Sequence, residues 1–426
     1  MKSHTTSKRE RYTAIDIGPT PADWSDPVLQ KVAPFISNGF VGTATPHYAA
    51  QDDHGAVKYL YGTNIRKNEI VPAGLRYITA KFHEQQEKTK LRLGDVLTVQ
   101  SGHIGTTAVV TEDYDGSNCH ALIISRLDQS LMCPWFLSQY LNSNIGKARL
   151  RGLEVGSTIL HINTKDLKNF RVPCPPLLEQ KKIVQILSTW DEAIKTTEKL
   201  LGNTKAQKRA LMQQLLTGKT RLKGFEGSQW ARRPLDTVFE RVRRKNTVAN
   251  KNVLTISGRE GLVSQSQYFN KVVAAADTSG YTLLQGGEFA YNKSYSAGYP
   301  LGAIKMLPLE VTGVLSSLYI CFRVVNKGRD HPDFYRHWFE FGGLDRELSV
   351  IAQEGARNHG LLNVGVSEFF KLLVSRPSAD EQRKIAAVLN DAETQVNNVE
   401  LQLGRLKSEK RALMQQLLTG KRRVTV

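Results

Sequence analysis

The chain lacks paired cysteines, long apolar runs and a balance of acid against base. Its four cysteines, Cys119, Cys133, Cys174 and Cys321, are scattered without CxxC or Cys/His spacing, which argues against a zinc module and for reduced, buried thiols. The stretch from Met1 to Ile15 is polar and basic with no apolar core of an export signal, and no run of about 18 apolar residues follows. A cytoplasmic protein that does not enter a membrane is expected. Acids are scarce: 40 Asp and Glu against 58 Lys and Arg leave a net charge of +18. Such an excess attracts polyanions at long range, and nucleic acid is the commonest of them. Arg241, Arg243, Arg244 and Lys245 gather part of it into one patch.

Catalytic signatures are missing too. There is no HExxH or GxSxG motif and no cluster of metal ligands that would enlist His103 or His359. An adenine methyltransferase needs an Asn/Asp-Pro-Pro-aromatic loop around the flipped base. Here Pro175-Pro176 is flanked by Cys174 and Leu177, and no glycine loop for S-adenosylmethionine is found. Gly218-Lys219-Thr220 imitates the end of a phosphate loop, yet Gln213 stands where that loop requires glycine. It reads as a helix end. Pro332-Asp333 has no following Glu-x-Lys and reads as a helix start, while Asp191-Glu192 and Asp380-Glu381 read as carboxylates at helix starts or on solvated faces.

What is present is a repeat. The segment KRALMQQLLTGK occurs at Lys208–Lys219 and again at Lys410–Lys421, 202 positions on, and Glu179–Gly218 aligns with Glu381–Gly420 without a gap. Steps of four and three pick out Ile183, Leu187, Trp190, Ile194, Thr197, Leu201, Thr204, Lys208, Leu211 and Leu215 in the first copy. The second copy supplies Ile385, Leu389, Ala392, Val396, Val399, Leu403, Leu406, Lys410, Leu413 and Leu417. A sustained 3.5-residue period predicts the seam of a coiled coil. Ser378 and Glu381 form a capping-box pattern, Pro175-Pro176 precede the first copy, and Gly218 and Gly420 stand where left-handed caps would end each helix. Each helix should run for roughly 60 Å. Antiparallel pairing would place a pseudo-two-fold axis near Gly202 and Gly404, glycines expected to let the backbones approach, since each costs about 1 kcal/mol in a helix. Lys205, Lys208, Arg209, Lys219 and Arg221 would meet a partner or phosphates, or remain a solvated face.

The repeats alternate with two globular segments of similar length. The expected division is a basic tail at 1–19, a recognition domain at 20–176, a long helix at 177–219, a second recognition domain at 220–377, a second long helix at 378–421 and a basic tail at 422–426. Each globular part opens with Trp24 or Trp230. Each then shows a strand after Gly94-Asp95 or Gly287-Glu288, a glycine-containing polar loop, an apolar strand and an aromatic helix (PWFLSQYL, PDFYRHWF). The expected class is α/β, with two similar domains separated by two long helices in an antiparallel coiled coil. Helices that stay alike while globular parts diverge imply one partner contacted twice and two different targets.

With its alternation of globular parts and helices, the entries PPLLEQKKI and PSADEQRKI, the doubled ending LMQQLLTGK, and the runs GDVLTVQSGHIGTTAVV and EGARNHGLLNVGVSEFF, nearly the whole chain resembles the DNA-specificity subunit of Type I restriction-modification enzymes. The resemblance implies a noncatalytic subunit whose two target-recognition domains each read half of a bipartite site in double-stranded DNA. It implies two methyltransferase subunits docked on the repeated helices, modifying adenine at N6, and restriction/translocase subunits that add to that core. S-adenosylmethionine, ATP and Mg would belong to those partners, with no cofactor in this chain. Lengthening the coil should lengthen the spacer between half-sites.

Base reading calls for Arg, Asn, Gln and Ser on loops, with phosphates met by Lys and Arg. The candidates are Gln100, Ser101, His103, Thr106, Ser157 and Thr158 in the first domain. In the second they are Asn292, Lys293, Ser294, Tyr295, Arg357, Asn358 and His359. Two other readings remain open: a self-sufficient DNA enzyme with an unfamiliar site, and a coiled-coil DNA-binding scaffold or regulator without a methyltransferase.

Overall fold

In each half of the chain, short apolar stretches build the same antiparallel sheet. The computed structural model describes residues 20–155, 161–258, 260–269, 277–295, 298–354 and 362–425. In the first half the strands are β1 (Phe35–Asn38), β2 (Val96–Val99), β3 (Thr107–Val109) and β4 (Leu122–Arg126), in the order β1-β4-β2-β3. In the second they are β5 (Phe239–Arg241), β6 (Phe289–Asn292), β7 (Ala303–Met306) and β8 (Ile320–Val324), in the order β5-β8-β6-β7. The two orders are the same path through space, written in sequences that share little.

The inner strands β2, β4, β6 and β8 read as nearly unbroken apolar runs because both faces of each sheet are covered there. Val96, Val109 and Ile123 face one core; Leu97, Val99, Ala108, Leu122 and Ile124 face another. The second sheet divides likewise, with Phe289, Tyr291, Ile320 and Phe322 on one side and Ala290 and Cys321 on the other. Burial on two sides removes the polar alternation expected of a half-wet antiparallel strand.

One face of each sheet is roofed by a short helix that starts at a proline: α1 (Pro134–Asn142) in the first half, α3 (Pro332–Glu340) in the second. The long helices are α2 (Leu177–Leu215) and α4 (Ala379–Leu417), 39 residues each, about 58 Å at 1.5 Å per residue. No described helix is long and apolar enough to cross a membrane. Contacts divide the chain into two units: residues up to Glu198 with Gln402–Val426, and Lys199–Leu401. Each unit therefore takes one end of α2 and one end of α4.

Within each unit the two helix ends run antiparallel. In the first, Asp191 meets Lys410 and Glu198 meets Lys407 at 2.6 Å. In the second, Glu393 meets Lys208 at 2.7 Å and Glu400 meets Lys205 at 2.5 Å. Adding 202 to the acids of the first set gives the acids of the second, so the internal two-fold likeness reaches single side chains. Every residue of the expected seam is buried or half-buried, Trp190 among the half-buried. Its polar members are satisfied: Thr197 and Thr204 donate to Ala193 and Leu200 carbonyls of their own turn, and Lys208 and Lys410 reach the acids just named.

Some expectations need correction. A Cβ built on Gly202 or Gly404 meets nothing within 4 Å, so neither glycine admits a close backbone, and both are exposed on their helices. Gly202→Ala and Gly404→Ala should each stabilise the chain by about 1 kcal/mol, seen as a higher midpoint in chemical denaturation; a lower midpoint would mean that the glycine is structurally required. The capping box at α4 is half formed. Ser378 accepts from Glu381 N–H at 3.3 Å, but the Glu381 carboxylate turns elsewhere. Two of the four thiols, Cys133 and Cys174, are only partly buried. Gly218 and Gly420 do take the left-handed conformation, at φ 69° and 71°.

Candidate nucleic-acid interface

A polar lock opens each long helix and sets the geometry of the unit beyond it. Glu179, 1% exposed, accepts from Trp24 Nε1 at 3.0 Å and from Arg423 at 2.7 and 2.8 Å. Glu381, fully buried, accepts from Trp230 Nε1 at 3.0 Å and twice from Arg221 at 2.7 Å. The hydrogen bond from Arg221 to this carboxylate raises the arginine above its ordinary pKa. The next residue caps the roof helix. Gln180 accepts from Cys133 N–H at 2.7 Å and donates to the Pro175 carbonyl, while Gln382 accepts from His331 N–H at 2.7 Å and donates to the Pro377 carbonyl. The Glu-Gln pair common to both repeats was legible in the sequence; its task was not, because its partners lie up to 244 positions away.

The locks hold sheets whose strand ends carry the candidate recognition residues. Gln100 follows β2, and its carbonyl accepts from Ile162 N–H at 3.1 Å. Ser101 bridges His161, so the hairpin of Glu154–Val155 and His161–Ile162 lies along the 100–103 loop. His103 is exposed, with a ring nitrogen 3.1 Å from the Ile65 carbonyl. Thr106 is 5% exposed and its carbonyl accepts from Val99 N–H at 3.0 Å. It is an interior turn residue, not a surface contact. The second unit repeats the plan. The Lys293 carbonyl accepts from Leu362 N–H at 2.9 Å and ties the hairpin of Gln353–Glu354 and Leu362–Asn363 to the loop after β6. Asn292 Oδ1 accepts from Ser294 N–H at 3.1 Å, and Tyr295 is 62% exposed. Ser157, Thr158, Arg357, Asn358 and His359 fall outside the described residues.

The positive charge is distributed differently from the sequence expectation. Lys205, Lys208 and Arg221 are engaged by Glu400, Glu393 and Glu381, so three of the five helix-end cations serve the fold. In the 241–245 run, Arg244 is neutralised by Glu288 at 2.6 Å and Lys245 donates to the Gly280 carbonyl. Arg241 and Arg243 are exposed and, with Lys245, line a cavity of about 250 Å³.

Residues 34–203 match the Type I restriction modification DNA specificity domain. In sequence the chain is similar to Type I restriction-modification specificity subunits. It is 26% identical over 213 residues to the Type I restriction enzyme EcoBI specificity subunit of Escherichia coli, covering 49% of this chain and 43% of that protein. It is 28% identical over 244 residues to the putative MjaX specificity subunit of Methanocaldococcus jannaschii, covering 54% of each. The chain thus spans about half the length of the curated relatives it matches. The fold extends further: a Type I restriction-modification S subunit from M. genitalium superposes with a TM-score of 0.55 at 14% identity, over 95% of this chain and 98% of that one. A chain from a structure of type I R-M system assembly gives 0.54 at 16% identity, over 94% and 98%. The specificity-domain match runs from the start of β1 into the middle of α2, and so covers the sheet and loop of the first unit.

Proposed function

We propose that this chain is the noncatalytic, sequence-reading subunit of a Type I restriction-modification complex acting on double-stranded DNA in the cytoplasm. Each recognition unit reads one half of a bipartite, asymmetric site. Two methyltransferase subunits dock on the repeated helices and methylate adenine at N6, and restriction/translocase subunits join that core. S-adenosylmethionine, ATP and Mg act in those partners. One observation carries the reading: the same sheet order and the same pairing of a strand-end loop with a two-stranded hairpin occur in both units, bearing different side chains. Invariant scaffolding with divergent loops is what two half-site readers require, because position comes from the frame and sequence from the loops.

The test is a genome-wide map of N6-methyladenine in a methylation-free host that carries this chain with its partner methyltransferase, against a host given the methyltransferase alone. A split, asymmetric motif present only with both proteins is the expected result. Absence of any new motif, with both proteins soluble, would overturn the proposal and favour a scaffold or regulator.

A further inference from the structure

We infer that Gln100, held in place by Asn38, reads an adenine in the half-site of the first unit through the major groove. The inference rests on the proposed role of that unit as a DNA reader. Asn38 ends β1 and is exposed. The next residue, Gly39, lies so close to Cys119 that a Cβ would stand 2.6 Å from its sulfur and 2.7 Å from its carbonyl oxygen. Gly39 N–H also donates to the Leu122 carbonyl at 2.7 Å. No larger residue fits there, so the backbone that carries Asn38 is pinned to the sheet.

From that anchor, Asn38 Oδ1 accepts from Gln100 Nε2 at 2.7 Å and from the Thr164 hydroxyl. Three segments distant in sequence meet at one amide. One N–H of Gln100 is thereby occupied. A second N–H and the carbonyl oxygen remain on the same planar amide, one donor and one acceptor. Adenine offers the complement in the major groove, an N7 acceptor beside an N6 amino donor; guanine offers two acceptors, and cytosine only a donor. A glutamine already held by a neighbour loses less rotamer freedom on docking than a free one. Access is open beside it: Ser101 and His103 are exposed, and Gly102, at φ 81°, has nothing within 4 Å of where a Cβ would stand. Gln100 is the base contact in this arrangement and Asn38 a positioning residue.

The experiment uses the full chain in complex with its methyltransferase and duplexes carrying its mapped site. Each adenine other than the methylated ones is replaced in turn by 7-deaza-adenine, which pairs normally but lacks the N7 acceptor. For the wild type, one position in one half-site should lose about tenfold in affinity. With Gln100→Ala that replacement should cost nothing further, and with Asn38→Ala it should cost less than in the wild type, while discrimination in the other half-site stays unchanged. Gln100→Glu, which replaces Nε2 and both of its N–H groups, the one held by Asn38 included, with an acceptor, should move the methylation motif from adenine towards cytosine at that position alone. A Gln100→Ala complex that keeps the wild-type penalty at every adenine would overturn the inference, as would a Gln100→Glu motif identical to the wild type. A wild-type complex with no bipartite motif would instead remove the underlying reading, a result separable from either.

Discussion

Replacing Arg221 by alanine should destabilise the second unit by about 3–5 kcal/mol, the cost of stranding a buried charge. The Glu381 carboxylate is 1% exposed and takes both oxygens' main partners from that one guanidinium, itself 13% exposed. Without it, only the Trp230 indole N–H remains. Glu381→Gln combined with Arg221→Ala should be less damaging than Arg221→Ala alone, because the charge that needed a partner is gone. Denaturant titration of these two variants beside the wild type measures both effects. The matching Arg423 is 45% exposed and shared with Asp23, so water replaces it more easily and Arg423→Ala should cost less. A loss under about 1 kcal/mol for Arg221→Ala would mean that the Glu381 lock does not hold the unit together.

The second large effect is a dependence on pH that His337 gives the second unit. His337, 1% exposed on α3, has its pKa lowered to about 4, first by burial and then by the charge of Arg336. Its Nε2–H donates to Asn390 Oδ1 at 2.7 Å, and Arg336 donates to the same oxygen. An unfolded histidine titrates near 6.5. Between those values the unfolded chain takes up a proton that the folded chain refuses, so stability is complete above about 6.5 and falls as pH drops towards 4. The loss is on the order of 3 kcal/mol. Glu393 behaves in a later window. Burial opposes its ionisation, but Arg336 and Lys208 outweigh that and hold its pKa at about 2; its contribution is present above 4.5 and fades as pH falls further. His337→Gln should flatten the first window and leave the second. The first unit has Gln139 in the matching place, donating to Asp191 at 3.0 Å, so any acid-side loss there comes from other histidines, His83 and His120, whose pKa burial lowers. An unchanged pH profile in His337→Gln would refute the assignment.

The long helices were readable because their information is local and periodic. A 3.5-residue apolar spacing, a proline or capping pair ahead and a glycine behind are sufficient to mark Leu177–Leu215 and Ala379–Leu417 to within a few residues. The roof helices and four sheet strands, β2, β4, β6 and β8, were legible from local apolar runs as well; β1, β3, β5 and β7 were not. The loops that carry the candidate residues were only half legible. Residue type and neighbouring glycine singled out Gln100 and Asn292, but also Thr106, which is interior. Nothing in a run such as QSGHIGT tells which residue turns inward, since that depends on which strand lies beside it.

The sequence by itself determined that this protein is a duplicated α/β chain, with a basic surplus, two long amphipathic helices and no recognisable catalytic apparatus. Each of these follows from composition, spacing or self-similarity, properties carried by neighbours along the chain. Only the tertiary structure decided which polar groups are spent on the fold and which stay exposed. Lys208 and Arg221 looked like free cations and are bound to Glu393 and Glu381; Asn38 looked like nothing and holds Gln100 from 62 positions away. The physical reason is that a charge or an amide is defined by what desolvates and pairs it. Those partners are brought together by packing, across separations that no local pattern encodes.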